Sequence, residues 1–443
     1  MIKLQWLRIN KFRRVKPGTL LTFNPDYNVL LGQNGTGKTT LLSLITAICR
    51  CSFSTFIDEE FDLEYELSLD GTKLRASVRN ENRESALSGN MGSSAHLLDS
   101  FLAGANPSRI EFSADISIQP YWIPKLILNL KVKGSEASIQ VDGATTTVSF
   151  MVDAPAKNAA IIPLCFGTGL QKWEEAGAPG LKSAEGRDNI DRLYQFGVAL
   201  FLTFPQRFDE SLEFYSKLGS GDISIHFSEQ GNVASPSSYF QLPTSVLNNL
   251  ADSVRSNRGA VRHVIPGRKL PFLENLASLM GFESAELVLE FEQINQPPNG
   301  WTHLDSGTQK FYFKHQGEWI ISDKHLSFGQ KRMLAFLYYL EFSEDVVVAD
   351  ELVNGLHHQW IQVCIEELRE RQVFLTSQNP LLLDYLTFEA PDDVRSQFVL
   401  CRWEQGEQMI WENMSEEAAE DFFASYKVGF QQVGELLQLK GLW

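Results

Sequence analysis

The sequence predicts an α/β protein in which a parallel sheet is joined to an antiparallel β subdomain and to a large mixed α/β insertion. Three observations carry this expectation. A glycine-rich octet, Gly32 to Thr39, lies between a short apolar run and a helical pattern. Apolar residues alternate with polar ones from Phe61 to Val78 and are interrupted by Asp70-Gly71, the signature of a hairpin. Late in the chain, Val346-Val347-Val348-Ala349 runs directly into Asp350-Glu351, as a buried parallel strand would deliver acids to its carboxyl end.

Taken in order, Ile2, Leu4 and Trp6 alternate with polar residues, and Leu20 and Phe23 follow Pro17-Gly18, which predicts two edge strands. Val29, Leu30 and Leu31 form the next strand. Gly32-Gln33-Asn34-Gly35-Thr36-Gly37-Lys38-Thr39 then matches G-x-x-x-x-G-K-[ST], and Leu41, Leu44, Ile45 and Ile48 follow at helical spacing. Strand, loop and helix in that order place backbone N–H groups and the positive helix end around a polyphosphate. Gly32, Asn34, Gly35, Thr36, Gly37, Lys38, Thr39 and Thr40 are therefore the candidate nucleotide-binding residues. Lys38 is suited to reach the outer phosphates of ATP, and the Thr39 hydroxyl to sit on Mg2+.

After the hairpin, Arg79 to Ser94 is polar and reads as a loop, and strands resume from Ile110 to Met151 with turns near Gly134 and Asp142-Gly143. Helical patterns cover Asp188 to Leu218, Ser245 to Val254 and Leu270 to Met280, and strands return at Leu287 to Phe291, Lys310 to Phe313 and Glu318 to Ser322. The segment from Arg255 to Lys269 carries six basic side chains, counting His263, with no acid among them, and reads as a solvated loop. It is the best local site for a phosphate backbone, although the net charge of −16 over 443 residues opposes nucleic acid. Five cysteines scattered through apolar surroundings fit reduced core thiols. The apolar stretches are too short to span a bilayer, so a cytoplasmic protein without membrane contact is expected.

Leu326-Ser327-Phe328-Gly329-Gln330 opens a helix whose stripe is Met333, Phe336, Leu337 and Leu340. Ser327 with Gln330 three residues on is a capping box, and the same hydroxyl and glycine at a helix N-terminus suit a γ-phosphate carried by another subunit. Ser327, Gly329 and Gln330 are accordingly candidate nucleotide contacts. Asp350 is expected to hold Mg2+ with Thr39, and Glu351 to polarise the attacking water. A further strand, Val373 to Thr376, ends in Ser377-Gln378-Asn379-Pro380.

Lys38, the Leu326 to Gln330 pentapeptide, Asp350-Glu351 and the strand ending at Thr376 resemble the Walker A, signature, Walker B and switch elements of an ABC-type ATPase head. Leu7, Ile9, Phe12 and Arg13 fit the L-x-I-x-x-F-R opening of the branch containing SMC, RecF and OLD proteins. Asn354-Gly355-Leu356-His357 and the ending Lys440 to Trp443 look most like the small OLD-related ATPases of bacterial anti-phage loci, such as the ATPase subunit of the PARIS system. The resemblance implies a P-loop NTPase fold of ABC-ATPase type. Its halves would be residues 1–51 and 323–403, with the β subdomain and insertion at 52–322 and a helical tail at 404–443.

The resemblance also implies an ATP-driven assembly switch. Two copies would pair head-to-tail, or close into a larger ring, and regulate a Toprim-like nuclease effector in answer to a phage-encoded trigger protein. The alternative is a DNA-repair or DNA-tethering ATPase of SMC or RecF kind, which long heptad arms or a broad basic face would favour. Gln378 stands where such heads place a switch histidine; it can bond a γ-phosphate but carries no proton, which argues for slow hydrolysis. Phe328 replaces a more usual glycine, Gln119 and Gln171 are candidates for the Q-loop residue, and His357-His358 fit a subunit-contact loop.

Overall fold

The computed structural model describes residues 2–442 except 57, 83–109, 122–126, 134–135, 142–146, 152–191, 193–206, 210–222, 228–232, 235–241, 258, 297–301, 344, 378, 405–407 and 430. Among these the strands form three sheets. The central one has six strands in the order Arg207–Phe208, Val346–Ala349, Gln372–Leu375, Tyr27–Leu31, Phe398–Glu404 and Gln408–Asn413. All neighbours are parallel except the last pair, an antiparallel hairpin.

Continuous apolar runs in these strands follow from burial on both faces. Val29, Leu31, Val347, Ala349, Val373 and Leu375 point into one core, which also takes the helix Phe328–Leu340. Leu30, Val346, Val348 and Phe374 point into the other, with Leu41, Leu44 and Ile48 of the helix Lys38–Cys49. The two helices therefore lie on opposite faces of one sheet.

The second sheet is antiparallel, in the order Thr19–Thr22, Ile2–Phe12, Phe61–Leu69, Thr72–Asn82, Ile110–Gln119, Leu128–Lys133, Glu136–Val141 and Thr147–Met151. The Asp70-Gly71 hairpin forms as expected, with Leu69 opposite Thr72. Of the two expected edge strands, Thr19–Thr22 lies at an edge. Ile2–Phe12 lies inside the sheet, and a register shift between Leu4 and Trp6 changes its phase, so that Leu7 and Ile9 rather than Trp6 continue the buried face. The expected loop at Arg79 starts later, because the strand continues to Asn82. Gln372 ties this sheet to the central one: its Oε1 accepts from Leu4 N at 2.7 Å and its Nε2 donates to Leu4 O and Asn24 O, each at 2.8 Å.

The third sheet runs Val233–Ala234, Ile223–Phe227, Thr302–His315, Ser284–Asn295, Arg262–Pro266, with Glu318–Ser322 also paired to Thr302–His315. The helices Thr244–Ser256 and Pro271–Leu279 agree with the helical pattern, whereas of Asp188 to Leu218 the described part includes the strand Arg207–Phe208 and most of the rest lies outside the described residues. The basic segment is not a loop. It contains a helix end, the strand Arg262–Pro266 and a 3-10 turn, and two of its charges are answered: Arg255 pairs with Asp252 at 2.6 Å and Arg262 with Glu290 at 3.5 Å. Residues 404–443, expected as a helical tail, first complete the hairpin strand Gln408–Asn413, then form the helices Glu416–Val428 and Val433–Leu439.

Cys49, Cys51, Cys364 and Cys401 are buried and free, and burial raises each thiol, to about 12 for Cys51 and Cys401. Such thiols stay protonated and inert. No helix among the described residues is long and apolar enough to cross a membrane.

Candidate nucleotide-binding site

The loop between Leu31 and Lys38 is held open by its glycines and propped from behind. Gly32 has φ of 142°, and a Cβ there would sit 2.0 Å from the Cys401 carbonyl oxygen, so only glycine permits this approach. Gly37 has φ of 88°, and a Cβ there would meet Met409 Sδ at 2.7 Å. Two indoles from the C-terminal hairpin complete the support. Trp411 Nε1 donates to Thr36 O at 3.1 Å from a buried position, and Trp403 Nε1 donates to Gly35 O at 3.0 Å near the surface. The Thr36 hydroxyl closes the turn on Gln33 O at 2.8 Å. Lys38 Nζ arches over the loop to Gly32 O at 2.6 Å and Gln33 O at 3.0 Å. Asn34, Gly35 and Thr39 are exposed at the mouth, and Thr40 Oγ1 accepts from Arg13, which is itself held by Glu59.

Thr39 and Asp350 come together although 311 residues separate them, Oγ1 to Oδ2 at 2.7 Å. The other Asp350 oxygen accepts from Thr376 Oγ1 at 2.5 Å, and the same threonine oxygen accepts from Glu351 N at 2.9 Å. Thr376, at the end of the strand lying between those of Lys38 and Asp350, thus orients both acids. A hydroxyl and a carboxylate converging in this way are hard oxygen donors, the set that suits Mg2+.

Glu351 is 8% exposed, and its φ of 52° is left-handed, which costs a non-glycine residue on the order of 1 kcal/mol. That backbone is held from below by Arg332, whose Nε donates to Leu352 O at 3.0 Å and whose Nη2 donates to Glu351 O. The guanidinium is wholly buried and lies over the Phe208 ring, 5.3 Å from its centroid.

Ser327 caps its helix with both arms of the capping box in place. Gln330 N donates to Ser327 Oγ at 3.3 Å and Ser327 N to Gln330 Oε1 at 2.9 Å. The Gln330 side chain is thereby committed to its own helix end, while the exposed Ser327 hydroxyl keeps its proton to donate outward. Gly329 faces Gly355 O, 3.1 Å from where its Cβ would be, and Phe328 is 56% exposed over Gly355. These contacts, with those of Arg332, place the Ser327 end of the helix beside the carboxyl ends of the central strands. The phosphate loop opens at the same edge. His357 packs edge-on against Trp360 at 6.0 Å, and His358 Nδ1 lies 3.5 Å from Tyr385 Oη. Among the described residues no group of three or more His, Cys, Asp and Glu could hold a metal ion.

The short strand Arg207–Phe208 adds contacts that sequence reasoning missed. Phe208 O accepts from Asp350 N at 2.7 Å, and Arg207 Nη1 donates to Ser43 Oγ at 2.9 Å, one helical turn beyond Thr39. Arg207 also pairs with Asp209 at 3.3 Å. Gln119 is not at this site: it pairs with Lys73 at the end of an antiparallel strand. Gln378 and Gln171 lie outside the described residues.

Residues 187–384 match the family model described as "AAA domain, putative AbiEii toxin, Type IV TA system", a span that includes Ser327, Asp350 and Glu351 but not the phosphate loop. No curated protein matches the chain. Similar solved structures include an SMC head bound to the C-terminal winged-helix domain of ScpA, at 11% identity over 94% of this chain and 98% of that one, TM-score 0.40. The SMC head of Thermotoga maritima is 12% identical over 93% and 99%, TM-score 0.36. The recombination mediator RecF is 11% identical over 94% and 98%, TM-score 0.31. By strand order and site geometry the chain is an α/β protein with a phosphate loop on a largely parallel sheet, an antiparallel β subdomain and a mixed insertion, and its residues 187–384 are similar to an AAA domain.

Proposed function

We propose that this chain binds and hydrolyses ATP and uses the nucleotide to pair with a second copy of itself. The observation that supports this most is the common edge: the phosphate loop, the Thr39–Asp350 pair and the capped turn at Ser327 all open along the carboxyl ends of the central strands, with their helices on opposite faces. One copy therefore offers the loop and its neighbour the serine turn, so that binding energy becomes assembly energy.

In this reading Lys38 exchanges its loop carbonyls for the outer phosphates, and the loop N–H groups and helix end take the remaining charge. Thr39 and Asp350 would hold Mg2+, which would supply neutralisation of phosphate charge. Glu351 accepts a proton from the attacking water, whose oxygen bonds to the γ-phosphorus as the bond to the bridging oxygen breaks, giving ADP and phosphate. Ser327 of the neighbouring copy donates to the γ-phosphate.

The test is Glu351→Gln, which keeps the hydrogen-bonding shape but cannot take the proton. It should retain ATP and accumulate in the paired form, read as mass by light scattering with and without nucleotide. Equal mass in both conditions would sink the pairing.

The wider role we favour is the ATPase arm of a bacterial anti-phage system, restraining or releasing a Toprim-like nuclease when a phage protein appears. It is supported by the resemblance of the motifs and by the toxin–antitoxin system named in the description of the matching family. Copurification with a nuclease expressed from the same locus tests it; a chain that associates with none removes it. The DNA-tethering alternative is weakened by the ion pairs that neutralise Arg255 and Arg262.

A further inference from the structure

Arg332 presents an unusual combination. It lies one turn and a half into the helix that begins at Ser327, yet none of its surface is exposed, and a buried cation is tolerated only where other groups replace its water. Those groups are the carbonyls of Glu351 and Leu352 and the face of Phe208. Phe208 in turn accepts from Asp350 N and packs on Phe336 and Tyr339 of the same helix, at centroid distances of 5.6 and 5.5 Å. The left-handed backbone of Glu351 is thus gripped on its carbonyl side by Arg332 and on its N–H side by Thr376.

We infer that Arg332 is a positioning residue for Glu351: seated on Phe208, its guanidinium holds two successive carbonyls and fixes the strained backbone that carries the catalytic carboxylate. This rests on the reading of Glu351 as the group that activates water. Because Arg332 and Ser327 share one helix, the turn a copy offers to its neighbour and the carboxylate it uses itself are set by the same rigid element. Only a planar fork bonds two successive carbonyls from a position over the ring, so lysine is a poor replacement.

Arg332→Lys should lower kcat about 10- to 100-fold, with KM and the affinity for a fluorescent ATP analogue unchanged, since the phosphate loop is untouched. The readout that separates positioning from general damage is the same substitution in Glu351→Gln. If Arg332 acts through Glu351, the residual single-turnover rate should change less than about twofold there. Phe208→Leu, which leaves an apolar side chain beneath the guanidinium, should show a smaller loss, about threefold, that likewise disappears in Glu351→Gln. It carries the comparison if Arg332→Lys does not fold. Equal losses in both backgrounds, or none in either, overturn the inference while leaving the ATPase reading intact. An unaltered chain that does not turn over ATP overturns the role of Glu351 and this inference with it.

Discussion

The two indoles behind the phosphate loop make the same hydrogen bond in different surroundings, which allows their effects to be ranked in advance. Trp411 is buried and its contact with Thr36 O lies in the core, whereas Trp403 is 38% exposed and water can replace its bond to Gly35 O. Removing a partner from a buried acceptor costs about 1 to 3 kcal/mol, and an exposed bond about 0.5 kcal/mol. Trp411→Phe also opens space beneath Gly37, whose Cβ position is 3.0 Å from Trp411 Cζ2. If about 1.4 kcal/mol of this falls on the ordered loop, ATP binds about tenfold more weakly, against about twofold for Trp403→Phe. Titration of a fluorescent ATP analogue measures the affinities, and urea unfolding of the same samples measures the stabilities. The reasoning fails if Trp403→Phe weakens binding as much as Trp411→Phe. It fails equally if Trp411→Phe lowers the urea midpoint and leaves affinity unchanged, since the hairpin would then support the fold and not the cradle.

Gly32→Ala places a Cβ against the Cys401 carbonyl and should cost about 3 kcal/mol or more, whereas Gly35→Ala meets nothing within 4 Å and should cost about 1 kcal/mol of backbone strain; urea midpoints in the reverse order would refute the packing argument. Gln372→Leu removes the buried bonds to Leu4 N and Leu4 O and one of the two to Asn24 O, which keeps Asn28 Nδ2 at 2.9 Å, and should lower unfolding free energy by about 3 kcal/mol, against under 1 kcal/mol for Asn413→Ala at the exposed Thr22 contact. Burial lowers the His263 imidazole below its ordinary value of 6.5, opposed by a hydrogen bond with Ala260, and burial with His303 lowers His226. Below that value the unfolded chain binds protons that the folded sites resist, so this stability is complete above about pH 6.5 and is lost as pH falls. Thermal unfolding of His263→Gln should therefore show a shallower decline between about pH 7 and 5 than the unaltered chain, and an identical slope would contradict the assignment.

What the sequence revealed was what chemistry writes locally. The phosphate loop is read from eight consecutive residues because its turn needs glycine at fixed positions, and the strand of Asp350 because burial on both faces demands an unbroken apolar run. The bulge after Leu4 was hidden, since alternation on either side of it looks like one continuous period. Arg332 was hidden for a different reason. Every residue from Arg332 to Leu340 is buried, because the helix is packed between the central sheet and the insertion, so its apolar stripe gave no hint that a cation beside it faces inward. The strand Arg207–Phe208 is too short to leave a period of its own. Thr376 stood in a recognised strand, but only the folded register puts its hydroxyl between Asp350 and Glu351.

The hairpin behind the phosphate loop has a consequence for how the protein is made. Thr36 and Trp411 are 375 residues apart in the chain, so a growing polypeptide displays its glycine turn long before the indole that shapes it has been synthesised. Until that last hairpin docks, the turn lacks its backing, and ATP has little to select. Nucleotide therefore cannot steer the early stages of folding on the ribosome, and a chain cut short before Gln408 should be blind to ATP even if every residue of its glycine motif is intact.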